Sequence, residues 1–135
     1  MTEAGPVREL RVALTVEDYD GALSLYRDAL GLPTVEEWDG PTGRGVVLDA
    51  GRATLELLSS EQAEHVDEIE AGGQRAGHVR LALEVADSVA TADALVGAGA
   101  ERVAEPVETP WRHRNVRLRA PDGMQLTLFT VLDQV

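Results

Sequence analysis

Arg80–Asp87 reads RLALEVAD, and the chain has already used that pattern once, at Arg11–Asp18, which reads RVALTVED. Laid over each other, the two octets share Arg, Ala, Leu, Val and Asp in the same places. Apolar residues alternate with small or polar ones, as in a strand whose two faces meet different surroundings. Val12, Leu14 and Val16 make one face of the first copy, and Arg11, Ala13 and Thr15 the other. Each octet closes on an Asp suited to cap a helix, and an Ala- and Leu-bearing stretch ending in Gly follows. A repeated unit of this kind fixes the architecture, while differences between its copies point at the site.

Working outward, Ala22, Leu25, Tyr26, Ala29 and Leu30 recur at helical spacing up to Gly31 and predict a helix. The runs Thr34–Trp38, Val46–Asp49 and Ala53–Leu58, separated by Gly-bearing turns, predict three strands. The second copy repeats the order: a strand over 77–85, a helix over 88–97, and strands over 103–107, 115–118 and 124–131. Ala120-Pro121-Asp122-Gly123 makes the last turn. Between the copies, EQAEHVDEIEA at Glu61–Ala71 has helix-forming composition and a capping box from Ser59 to Gln62, so it reads as an acidic linker helix with His65 in solvent. The expectation is one α+β domain over 1–135, with a first βαβββ module over 8–59, a linker helix over 60–76 and a second βαβββ module over 77–135.

Composition narrows the partners. Twenty-four acidic against twelve basic residues give a formal charge of −12, which repels nucleic acid and anionic membrane surfaces and attracts cations. The chain has no cysteine, so disulfides, thiolate catalysis and thiolate metal sites are excluded. No charged-then-apolar leader and no long apolar run is present, and a cytoplasmic location is the expectation. No P-loop, dinucleotide fingerprint or Ser-His-Asp pattern supports other chemistries.

The segments VALTVEDYDGALSLYRDALGL, ATLELL, RLALEVAD and APDGMQLTLFT resemble the vicinal oxygen chelate superfamily of glyoxalase I, extradiol dioxygenases and bleomycin resistance proteins. The resemblance covers nearly the whole chain. It implies that the modules curve as one mixed sheet around a cavity, in a homodimer whose modules are sometimes exchanged between subunits. In enzymes of the family a divalent metal sits at the head of each module's first strand, usually on His, and on each module's last strand, usually on Glu. Those positions fall here on Arg11, Arg80, Glu56 and Thr127. A guanidinium offers a metal no lone pair, so one ligand of the four remains. No cofactor is therefore expected, and a metal on Glu56 and His78 belongs to an alternative reading only.

Alternation alone predicts what lines the cup. If Val12, Leu14, Val16, Leu55, Leu57, Leu81, Leu83, Val85, Leu126 and Leu128 face the helices, the other faces carry Arg11, Glu56, His78, Arg80, Gln125, Thr127 and Phe129. Polar groups with small spacers suit a ligand cavity, or an ion pair in which Glu56 bridges Arg11 and Arg80. Trp38, Trp111 and His113 lie outside the helix-facing pattern and are candidates for wall or rim. The reading is a small-molecule binding protein that sequesters an antibiotic or natural-product-like ligand, aromatic or cationic, as bleomycin resistance proteins do. Two alternatives stand beside it. One is a metal-dependent lyase, isomerase or dioxygenase; the other is a metal-independent isomerase with Glu56 or Glu84 as base and Arg11 or Arg80 steadying an anion.

Overall fold

Arg11–Val16 does form a strand, and it lies mid-sheet. In the computed structural model, which describes residues 6–132, β1 (Glu9–Val16) is followed by a helical segment, α1 (Tyr19–Ala22), continuing as a π-helix over Leu23–Ala29. Then come β2 (Thr34–Gly40), β3 (Gly43–Asp49), β4 (Thr54–Ser59) and α2 (Ser60–Ala71). The second copy supplies β5 (Val79–Glu84), α3 (Ser88–Gly97), β6 (Glu101–Arg102), β7 (Val107–Glu108), β8 (His113–Arg119) and β9 (Gln125–Val131). The strands make one curved, open sheet in the order β2-β3-β4-β1-β5-β9-β8-β6, with β7 also paired to β8. β1 runs parallel to β4, and β5 parallel to β9, each crossover carrying the helix between them; β1 and β5 join the modules antiparallel.

Each module buries its own apolar cluster on the outer face of the sheet. Tyr19, Leu23, Val46, Leu48 and Leu57 form the first, with Leu14, Val16 and Leu55 packed against it. Val85, Ala92, Val116, Leu118 and Leu128 form the second, with Leu83, Val89 and Leu95 beside it. Asp18 and Asp87 cap the two helices, Asp18 through the Gly21 N–H and Asp87 through the Ala90 N–H, as the repeated Asp predicts.

Two local expectations give way. The first helix does not keep α-helical phase: the Leu30 N–H reaches the Leu25 carbonyl, a five-residue step. The wider turn swings Leu25 and Leu30 outward, to 58% and 64% exposure, so they leave the predicted buried stripe. The strand expected over 103–107 does not form: β6 ends at Arg102 and β7 begins at Val107, and Pro106, just before β7, has no N–H to give a ladder. Among the described residues no helix is long and apolar enough to cross a membrane.

Candidate functional site

Strand register sets the inner face row by row. Across one row Glu36 stands beside Val47, Val47 beside Glu56, Glu56 beside Ala13 and Ala13 beside Arg80. In the next, Arg11 pairs with Ala82, Ala82 with Thr127 and Thr127 with Arg117. Ala13 and Ala82 are buried, and their small size leaves room above the middle of the sheet for the longer side chains on either hand.

The linker helix, expected in solvent, lies across this inner face. Ser59 caps it by accepting from the Gln62 N–H at 3.2 Å, as the capping box predicts, and also accepts from the Arg44 N–H at 3.0 Å. Gly43 makes the close approach feasible: at φ 126° it takes a backbone that side chains rarely adopt, and a Cβ there would sit 2.6 Å from the Gln62 nitrogen. The helix brings Asp67 and Glu70 down onto the second module. Asp67 Oδ1 accepts from Arg80 at 2.9 Å and from Arg117 at 3.1 Å. Glu70 Oε1 accepts from Arg117 at 3.0 Å and Thr127 at 2.9 Å, and Glu70 Oε2 from the Asn115 amide at 2.8 Å. Arg117, fully buried, also donates to Gln125 and Thr127. Two guanidiniums and two carboxylates thus neutralise each other, and all four carboxylate oxygens accept at least one hydrogen bond, a condition under which buried charge is tolerated.

The first module's half is different. Arg11 turns its guanidinium to Glu9 at 3.0 Å and lies 5.0 Å from the centre of the Phe129 ring, on which His113 stacks at 4.9 Å. Glu56 is 4.0 Å from Arg11 and, among the described residues, accepts no hydrogen bond. Burial pushes the Glu56 carboxyl above the ordinary carboxylate range; Arg80 and Arg11 pull it back, while Glu70 and Glu36 push it further. Burial, then Arg11, holds the His113 imidazole below its usual range. The expected bridge from Glu56 to both arginines is therefore not made, because Asp67 takes Arg80.

Between the sheet and α2 is a cavity of about 430 Å³. Arg11, Trp38, Glu56, Arg80, Trp111, His113, Thr127 and Phe129 border it, as do Glu36 and Asn115. Helix α2 adds Gln62, His65, Val66 and Glu70, so His65 is a wall residue, not a solvated one. Gln125 and His78 do not border it. Gln125 is buried against Arg117 and the Arg75 carbonyl, and His78, exposed before β5, borders a groove under α1. Asp67, Glu70 and Arg117 were missed by the sequence reading, although alternation from Val116 and Leu118 places Arg117 on the inner face.

The positions that the resemblance assigns to a metal do not fit one. Two are guanidiniums engaged by Glu9 and Asp67, and the Thr127 hydroxyl is spent on Glu70. Among the described residues no three His, Asp or Glu side chains converge as a metal-holding group.

Residues 10–128 match the family model described as Glyoxalase/Bleomycin resistance protein/Dioxygenase superfamily. No curated protein sequence matches the chain. Among solved structures, a hypothetical protein from Bacillus halodurans C-125 superposes with a TM-score of 0.69 at 19% identity, covering 93% of this chain and 94% of that one. Methylmalonyl-CoA epimerase from Mycobacterium tuberculosis gives 0.67 at 22% identity over 98% and 94%. A variant of the Streptomyces coelicolor methylmalonyl-CoA epimerase, in complex with 2-nitronate-propionyl-CoA, gives 0.63 at 21% identity over 97% and 100%. Likeness at this level of identity speaks for the fold.

Proposed function

The chain belongs to the glyoxalase/bleomycin resistance protein/dioxygenase superfamily, and we propose that it uses the superfamily's cup to bind a small organic molecule without a catalytic metal. The observation that carries this reading is the cavity itself, which has the size of a ligand site. Trp38, Trp111 and Phe129 give it flat apolar wall, and its arginines are committed to carboxylates rather than left to clamp a reacting group. Function by sequestration follows: the ligand is held, and its availability falls. A thermal-shift and tryptophan-fluorescence screen of planar aromatic compounds, run beside nickel, zinc and iron with and without chelator, tests it. Aromatic ligands raise the melting temperature and quench fluorescence, while metals leave both unchanged. A chelator-reversible shift of several degrees that disappears in Glu56→Ala overturns the metal-free site.

One observation favours a second reading. Glu56 carries a raised pKa, borders the cavity and faces Arg11 at 4.0 Å, which suits a base that takes a proton from carbon while the guanidinium steadies the resulting anion. Methylmalonyl-CoA epimerases are among the structures this chain resembles. Exchange of a thioester α-proton with deuterated solvent, lost in Glu56→Gln, supports this reading; exchange no faster than without protein removes it.

A further inference from the structure

The hydrogen-bonding groups of the cavity show what its ligand must bring. Three guanidiniums at or behind its wall, Arg11, Arg80 and Arg117, meet Glu9, Asp67 and Glu70. Among the described residues Glu56 and the exposed Glu36, which also border the cavity, have no cation closer than the 4.0 Å between Glu56 and Arg11. Five carboxylates therefore stand against three guanidiniums, and the surplus charge is negative and turned to the cavity. A second acceptor belongs to Asn115 on β8, another residue that borders the cavity. Asn115, 3% exposed, gives its amide N–H to Glu70, which fixes the amide's orientation because a carboxylate only accepts. Asn115 borders the cavity, and among the described residues its buried Oδ1 has no donor, a state costly enough to need a partner.

Resting on the ligand-binding reading above, we propose that the cavity is built for a flat aromatic molecule rich in donors, with a cationic amidine- or amine-like group facing Glu56 and a further N–H or O–H facing Asn115. An anionic ligand finds no free guanidinium there, and a neutral one leaves the surplus charge unmatched. The ring of the ligand fills the space bordered by Trp38 and Trp111.

Four probes on one ring separate these contributions in the full chain: p-aminobenzamidine, benzamidine, p-aminobenzamide and p-aminobenzoate. Titration followed by tryptophan fluorescence and calorimetry gives p-aminobenzamidine the lowest dissociation constant, at least about tenfold below p-aminobenzoate. Unsubstituted benzamidine binds about threefold more weakly than the p-amino compound, which reads the Asn115 acceptor without any mutation. Glu56→Gln loses most of the preference for amidine over amide. Equal affinity for benzoate and amidine overturns the proposal while leaving the aromatic cavity standing, and so does an amidine preference untouched by Glu56→Gln. If none of the four probes binds, the ligand-binding reading falls with it.

Discussion

The two halves of the cup are built from the same repeat and end in opposite states. In the second module Arg80 and Thr127 at the cavity wall, and Arg117 buried behind it, are each held by Asp67 or Glu70 of α2. In the first, Glu56 stands over open volume with no hydrogen bond among the described residues, and Arg11 is drawn aside to Glu9. The difference lies in what covers the strands, since α2 leaves β4 and lays its acidic side on the other module. A cluster whose carboxylates are all engaged by guanidiniums is structure; a carboxylate facing a cavity is available for chemistry or binding.

The largest effect should come from breaking the paired half. Arg117→Met leaves Asp67 and Glu70 buried without their shared partner, and chemical denaturation should show a loss of about 3–5 kcal/mol. A loss below about 1 kcal/mol would mean that α2 lifts away and hydrates the cluster at little cost, making the two halves alike. In the open half, Trp38→Ala should leave folding nearly intact but weaken binding of p-aminobenzamidine by about 2 kcal/mol, roughly thirtyfold in dissociation constant. Full affinity in both Trp38→Ala and Trp111→Ala places the ligand elsewhere.

Gly45→Ala makes a finer cut. Gly45 pairs directly with Trp38 across the β2–β3 ladder, and a Cβ there would lie 2.0 Å from the indole Cζ2, at the far end of a side chain that can swing away. The variant should tip the ring off the strand, shift tryptophan emission and weaken binding by roughly 1 kcal/mol, with a folding cost of no more than about 3 kcal/mol. Unchanged emission would show that Gly45 does not position Trp38. The smallest effect concerns protonation. Glu56 has a folded pKa raised by burial, so the folded state holds this proton more tightly than the unfolded chain. Stability from this group is whole in acid, where both states are protonated, and falls as pH climbs from the ordinary carboxylate range through the raised value. Glu56→Gln should therefore raise the melting temperature near neutral pH and leave it unchanged in acid. A variant less stable at neutral pH would show that the Arg11 and Arg80 charges outweigh desolvation at Glu56.

Much of the fold was legible because alternation is a local property. Val12, Leu14 and Val16 declare a face whatever lies beyond them, and the repeat of RVALTVED as RLALEVAD carries that face into the second module. The candidate wall residues Arg11, Trp38, Glu56, Arg80, His113, Thr127 and Phe129 reach one cavity for the same reason: side-chain direction on a strand follows from position, whereas Trp111 reaches it from the turn before β8. The phase slip that exposes Leu25 and Leu30 was not legible, since their spacing is that of an ordinary amphipathic helix.

The amino-acid order by itself determined a repeated strand-helix opening, an apolar outer face and a polar inner face, because each depends on residue type and short-range period. Where α2 lies was decided only by tertiary structure. Its EQAEHVDEIEA reads as a solvated linker until Arg80 and Arg117 are found beneath it, and those partners stand 13 and 50 residues from Asp67 along the chain. A carboxylate is worth burying only where guanidiniums already wait for it, and that meeting is a property of the folded sheet.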